Sequence, residues 1–364
     1  MSKNILINIS DLHTKQTNTE TITARLEALK NYIEVIKLKH DCKKVTFIVS
    51  GDIAYSGKCS EYNLLLSSFE QLNKLGKVIL CPGNHDNDFS GENEAGNVLL
   101  KSMPLNSIIP ELREVVLKNQ SNYREFEDLV CDISATESGQ LSKTFKTEEI
   151  SITSLNTAWC SSIREESGKL YFPPDEIQKQ PKGCVRVIFF HHPLSWLEAN
   201  NNKEIRNIIR SNYDILISGH EHIADSFSVE DDEYKLLMVE SISFFDEYNE
   251  ENGFLSIVID ENDIILEKHT WSGRDYDLVQ TKRKSELIKF NEKKVGDIDI
   301  SNEFYKNLYD LGAGFHHTCK EKVCIPDIFV YPNISIESSN DKLKRISSEE
   351  ILNKENLKKY GLML

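Results

Sequence analysis

The fold class predicted by this sequence is α/β: a two-sheet α/β sandwich with an inserted helical cap and a C-terminal extension. Three observations predict it. Short apolar runs alternate with helical spacing over residues 4–81; a polar, helix-like stretch at about 87–138 interrupts them; and the later strand-like runs are joined by turns too short to hold a helix.

The elements follow in order. Asn4 to Ser10 reads as a buried strand, and Thr21 to Lys39 as a helix, with Ile22, Leu26, Leu29, Ile33 and Ile36 on one stripe. The unit then repeats, with a strand at Val45 to Ser50, a helix at Glu61 to Leu75 and a third strand at Val78 to Cys81 ahead of a Pro-Gly-Asn turn. Alternation of this kind builds a mainly parallel sheet covered by helices. Val98 to Met103, Ile109 to Val116 and Tyr123 to Val130 form the expected cap. Strands resume at Ile150 to Leu155 and Val185 to Phe190, and a helix from Lys203 to Ser211 leads to a strand at Ile215 to Ser218. Tyr234 to Val239, Phe254 to Ile259 and Ile264 to His269 read as strands of an antiparallel second sheet. The basic run Thr281-Lys282-Arg283-Lys284 marks a change in composition, so we divide the chain into a catalytic domain at 1–270 and a C-terminal extension, linker or interaction region at 271–364.

Composition narrows the function. The 364 residues are 39% hydrophobic and 28% charged, as in a soluble globular protein. The longest apolar runs are far too short to cross a bilayer, and Met1 to Ile9 lacks a signal-peptide layout, so the expectation is a cytoplasmic protein without membrane contact. Eight scattered cysteines do not form a disulfide framework. The formal charge of −15 opposes non-specific adhesion to nucleic acid, which needs a basic surface. It does not exclude a local basic groove.

Five blocks carry the chemistry: Asp11-Leu12-His13, Gly51-Asp52, Gly83-Asn84-His85-Asp86, His191-His192-Pro193 and Gly219-His220-Glu221-His222. Each follows a strand-like run, and loops after the carboxyl ends of strands gather at one edge of an open sheet. Residues two apart in an extended segment share a side, so Asp11 with His13, and His220 with His222, can face one site. The donors are carboxylate, imidazole and amide oxygen without thiolate. That mixture suits Mn, Fe, Zn or Ni, with Mn our first choice. Seven donors (Asp11, His13, Asp52, Asn84, His191, His220 and His222) exceed the needs of one tetrahedral ion but suit two divalent ions, with Asp52 as the bridge.

In this order the blocks match the series D-x-H, G-D, G-N-H-[DE], H and G-H-x-H, and the sequence resembles the calcineurin-like metallophosphoesterase superfamily, in its bacterial phosphodiesterase-like branch, over roughly residues 1–270. The resemblance implies the metallophosphoesterase type of sandwich, with one ion on Asp11, His13, Asp52 and His222 and the other on Asp52, Asn84, His191 and His220. It also implies that His85 is the catalytic acid at the leaving oxygen, with Asp86 supporting it. His191, directly after its strand, is preferred to His192. Asp52 is followed by Ile53-Ala54-Tyr55-Ser56-Gly57, without the phosphate-holding arginine of the protein phosphatases, which disfavours that branch.

The expected activity is therefore metal-dependent phosphoester hydrolysis: a phosphodiesterase with a dinuclear centre, in which a metal-bridged hydroxide attacks nucleotide-like substrates. The alternatives are a nuclease effector domain acting on DNA or RNA, recognisable by a basic strip on the cap or C-terminal region, and a regulated signalling module with a metal site. The tail from about Thr281, with Asp327-Ile328-Phe329-Val330-Tyr331-Pro332, resembles linkers that join such domains to regulatory NTPase modules, so a regulatory NTPase module or a homo-oligomer is an expected partner. His316-His317-x-Cys319-x4-Cys324 has unconventional spacing for structural zinc and is read as buried thiols.

Overall fold

The computed structural model describes residues 3–285, except short stretches at 91–92, 132–133, 148, 163, 181–183, 223–224, 231–234, 250 and 261–262, together with two strands at Asn333–Ile336 and Lys344–Ser347. The chain divides into two compact units, residues 1–293 and 294–364. The first holds two mixed sheets.

In the first sheet, β1 (Asn4–Ile9), β2 (Val45–Ser50) and β3 (Lys77–Cys81) run parallel, because each return passes through a helix. Those returns are α1 (Thr19–His40), then α2 (Cys59–Asn63) and α3 (Leu66–Asn73). The single helix expected at Glu61–Leu75 is broken: Tyr62 turns its hydroxyl to Asp86, while Leu65, Phe69 and Leu72 face the core. The inserted segment forms α4 (Glu94–Ser102), α5 (Pro110–Val116) and α6 (Ser121–Val130). Of these, α6 buries Tyr123, Phe126 and Val130 in the core beneath the first sheet, so part of the insertion covers the sheet.

The second sheet begins with β4 (Glu137–Ser138), β5 (Ser142–Lys146), β6 (Ile150–Leu155) and β7 (Val185–Phe190). Helix α7 (Ala199–Asn212) returns the chain to β8 (Ile215–Ser218), and β9 (Asp225–Glu230) and β10 (Lys235–Glu240) complete the order β4-β5-β6-β7-β8-β10-β9. The late strands do not form a separate sheet as expected. Strand β11 (Gly253–Ile259) pairs antiparallel with β1, and β12 (Asp263–Trp271) and β13 (Tyr276–Ser285) extend the first sheet from there to give β13-β12-β11-β1-β2-β3. The Thr281–Lys284 run, read in sequence as a boundary, is thus part of an edge strand paired with β12, where basic side chains discourage further strand addition.

Leu6, Ile48, Ile79, Val187, Phe189, Ile215 and Ile257 fill the space between the sheets, and helices cover the two outer faces. The ends of β1, β2, β3, β7 and β8 lead into the five motif loops. No helix among the described residues is long and apolar enough to cross a membrane. The His316–Cys324 group and the Asp327–Pro332 segment lie outside the described residues.

Candidate metal centre

Five of the expected donors sit on backbone that L-residues avoid. Asp11, His13, Asp52, His220 and His222 have φ of 55°, 47°, 53°, 76° and 59°. Left-handed turns directly after the strands aim successive side chains into one hollow, and the fold holds them there at a cost in local strain. The neighbouring glycines permit the packing: a Cβ on Gly51, itself at φ 94°, would lie 2.5 Å from His191 Nδ1, and one on Gly83 would strike the Asp52 carboxylate.

Around Asp52 the donors form two groups. On one side, His222 Nε2 lies 3.3 Å from Asp11 Oδ1 and 3.4 Å from His13 Nε2. On the other, Asn84 Oδ1, His191 Nε2 and His220 Nδ1 lie 3.0–3.1 Å from one another. Asp52 Oδ2 stands between them, 3.7 Å from His13 Nε2 and 3.3 Å from His191 Nε2. All seven expected donors are brought together.

The surrounding hydrogen bonds choose which nitrogen each ring presents. His191 Nδ1 meets the Ser50 carbonyl at 2.8 Å, and His222 Nδ1 meets Asp246 Oδ2 at 2.9 Å, so each turns Nε2 to the cluster. His192 lies within reach of His191 and His220, but its nitrogens are engaged elsewhere, Nδ1 by Thr157 Oγ1 at 3.1 Å and Nε2 by Glu165 Oε2 at 3.1 Å. His85 donates its backbone N–H to Asp52 Oδ1 at 2.8 Å, and its ring Nδ1 faces the Tyr55 carbonyl at 2.6 Å. A carbonyl only accepts, so Nδ1 carries hydrogen and Nε2 is left for chemistry. Asp86 ties two motif loops together through the backbone N–H groups of Ala54 and Gly83 and the Tyr62 hydroxyl. Burial and the nearby Asp52 lift its carboxyl to about 6 against those donors.

Without cations this arrangement is poorly satisfied. Asp11 Oδ1 and His13 Nδ1 are buried without a hydrogen-bond partner, and imidazole nitrogens face each other at 3.1 and 3.4 Å. Burial opposes charge on His191, yet Asp52 and Asp11 lift its pKa to about 10; burial beside His191 and His192 pushes His220 down to about 2. Lone pairs converging on shared points, around buried carboxylates, fit divalent cations.

On the rim, Tyr55 lines the hollow beside Lys15 and Phe245. Trp159 is buried with its N–H on the Tyr171 carbonyl, and Asn156 bonds Gln120; neither lines it. Sequence reasoning missed Asp246 and Glu165. Both lie in loops without a motif, and only their contacts with His222 and His192 reveal them.

Among solved structures, PhoD aligns with a TM-score of 0.50 at 10% identity, covering 79% of this chain and 71% of its own. A dimetal phosphatase from Danio rerio aligns at 0.43 and 11%, covering 77% and 98%, and Vps29 complexed with Zn2+ from Entamoeba histolytica at 0.33 and 10%, covering 77% and 98%. No curated protein matches the chain in sequence. The profile of calcineurin-like phosphoesterases matches residues 6–224, the span that carries all five motif loops up to His222. The chain belongs to the calcineurin-like phosphoesterase family, whose members depend on two metal ions, and it is a metal-dependent phosphoester hydrolase.

Proposed function

We propose that the chain is a phosphodiesterase with a dinuclear centre, preferring Mn, that acts on nucleotide-like diesters. The observation that carries the diester preference is the charge of the hollow over the donor cluster. Among the described residues, its lining contains no arginine, and its one lysine, Lys15, is paired with Glu247 at 3.2 Å. A monoester dianion needs more compensating charge than a diester monoanion, and this wall supplies little.

Asp11, His13, Asp52 and His222 would hold one ion, and Asp52, Asn84, His191 and His220 the other. When bound, such a pair supplies Lewis-acid charge at a phosphoryl oxygen and makes a water acidic enough to serve as nucleophile near neutral pH. The residues of the chain do the rest. His85, held through Nδ1 by Tyr55, keeps Nε2 free to hold a proton at the leaving oxygen. Its backbone N–H fixes Asp52, Asp86 fixes the loop that carries Asn84 and His85, and Asp246 orients His222. The C-terminal unit, residues 294–364, is proposed as the region that meets a regulatory NTPase module or a second copy, on its sequence alone. Free cysteines at 42, 59, 81, 131, 160 and 184 favour a reducing, cytoplasmic setting.

The test is hydrolysis of bis-p-nitrophenyl phosphate and p-nitrophenyl phosphate by metal-stripped protein reloaded with Mn, Ni, Zn or Mg. The expected result is diester cleavage restored by Mn and lowered on the order of 10²–10⁴-fold by His85→Ala. Faster cleavage of the monoester would overturn the diester preference, and cleavage unaffected by His85→Ala would remove its role as acid.

A further inference from the structure

The hollow over the donor cluster is not isolated. It shares Tyr55, Asn84 and His85 with a second cavity of about 320 Å³, and that cavity shares Phe89 and Ser162 with a third of about 510 Å³. The three form a furrow that starts at the donors, passes His85 and ends between α4 and the loop after β6. Its course matters because, with His85 at the leaving oxygen as proposed, the second cavity is open to the leaving group.

The charge of the furrow differs from that of the chain. Lys58, Lys101, Arg164 and Lys169 line the second and third cavities, against three carboxylates, Asp88, Glu165 and Glu166. Of these, Glu165 is already bonded to His192, and Asp88 accepts from the backbone N–H of Ser90. Among the described residues no ion pair engages any of the four cations, all of which are exposed. In a chain with 58 acidic and 43 basic residues, these two cavities thus carry four cations against three carboxylates, two of them already engaged. Phe89, Leu100 and Leu105 add an apolar wall between those cations, as a base or sugar requires.

We propose that this furrow binds a second, non-scissile phosphate on the leaving-group side of the substrate, with Lys101 and Arg164 as its main contacts and Phe89 beside a nucleoside of the leaving group. The proposal rests on the diesterase reading and adds to it a substrate class, extended nucleotide polyanions. Two sources share that chemistry: a single-stranded oligonucleotide and a dinucleoside polyphosphate.

The test uses the full chain loaded with Mn and the double variant Lys101→Glu with Arg164→Glu. The first readout is the ratio of kcat/KM for a thymidine hexanucleotide, and separately for bis-adenosyl tetraphosphate, to that for bis-p-nitrophenyl phosphate. The furrow predicts that the double variant lowers this ratio at least tenfold for one of the two extended substrates, and the affected substrate identifies the source. The second readout, independent of turnover, is fluorescence anisotropy of a labelled hexanucleotide, and of labelled bis-adenosyl tetraphosphate, on His85→Ala protein. Here the double variant is expected to weaken Kd at least tenfold for that substrate and to flatten its salt dependence. A ratio and a Kd that both stay within twofold for both ligands overturn the furrow even when the diester is hydrolysed normally. Binding that depends on the two cations, in a protein that cleaves no diester, upholds the furrow and removes the diesterase reading instead.

Discussion

Among the described residues, carboxylates meet buried histidines on β12 and around the motif loops, and the chain treats the two places differently. On β12, Glu267 accepts from Lys39 at 2.7 Å and Ser256 at 3.3 Å and lies 2.9 Å from His40 Nε2, while His269 stacks on Phe254 and meets Ser256 through Nε2 at 2.9 Å. Apart from His269 Nδ1, the chain itself satisfies that cluster. At the motif loops, imidazole nitrogens face one another, Asp11 Oδ1 and His13 Nδ1 accept or donate no hydrogen bond, with only His222 Nε2 at 3.3 Å from Asp11 Oδ1, and five donors hold left-handed backbone. The same residue types therefore serve two ends. One cluster is closed and contributes stability, whereas the other is open and acquires its stability from what it binds.

The largest expected effect separates the two by metal. Mn at a thousandfold over its dissociation constant stabilises by about 4 kcal/mol, which in a unit of this size raises Tm by roughly 10 °C. Asp52→Asn is expected to remove most of that gain, because Oδ2 stands between the two donor groups. Differential scanning calorimetry with and without Mn checks it, and a full gain in the variant would disprove the bridging role. Glu267→Ala should behave in the opposite way. Glu267 is buried but its partner Lys39 is exposed, so removing Glu267 costs roughly 1–3 kcal/mol, with or without metal, while the Mn-dependent gain and kcat stay as in the parent protein.

A pH scan sharpens the contrast. Burial holds His269 down to about 4, against the pull of Glu267, so the native ring stays neutral where the unfolded one, near 6.5, takes up a proton. The unfolded state binds more protons between those values, so this residue's contribution to stability falls as pH drops from about 6.5 to 4. The difference in unfolding free energy between parent and His269→Gln, both metal-stripped, cancels the other histidines; it should shrink across that window, and a flat difference would contradict a neutral His269. Glu267 acts lower. Burial would raise it, but Lys39 and His40 outweigh burial and hold it below its ordinary value, so its contribution is lost as the carboxyl protonates.

The sequence made the donors legible because chemistry confines them to a few residue types directly after strands, a position that apolar runs announce. It made the parallel core legible for the same reason, since β1, β2, β7 and β8 are buried on both faces and read as mainly apolar runs, and β6 keeps Ile150, Ile152 and Leu155 among buried Ser and Thr. Strands β5 and β13 were not legible: Ser142-Lys-Thr-Phe-Lys and Thr281-Lys-Arg-Lys lie at or near sheet edges, where polar side chains serve a strand as well as a loop. Asp246 and Glu165 were not legible either, because they act through a single hydrogen bond from irregular loops, and no periodicity records such a contact. The left-handed backbone of the donors had no signal at all, since Asp and His adopt it more often than other non-glycine residues but mostly do not.

That last point yields the smallest prediction. Asp41 is the sixth non-glycine residue at positive φ among those described, with φ 48° and ψ 55° where α1 ends, exposed and remote from the motif loops. Its N–H reaches the Leu38 carbonyl at 3.4 Å and that of Cys42 the Lys37 carbonyl at 3.1 Å, the C-terminal turn that glycine favours. A left-handed L-residue costs roughly 1–2 kcal/mol. Asp eases this by local hydrogen bonding, and glycine gives part of the gain back through the freedom of its unfolded chain. Asp41→Gly is therefore expected to stabilise by about 0.5 kcal/mol and raise Tm by roughly 1–2 °C without altering hydrolysis. His13→Gly would bring the same backbone relief but remove one donor of the first ion and lower the metal-dependent stabilisation, so the pair of variants separates conformational strain from ligation. If Asp41→Gly gives no gain, the local hydrogen bonding of Asp and the freedom of glycine in the unfolded chain offset the left-handed cost at this exposed helix end.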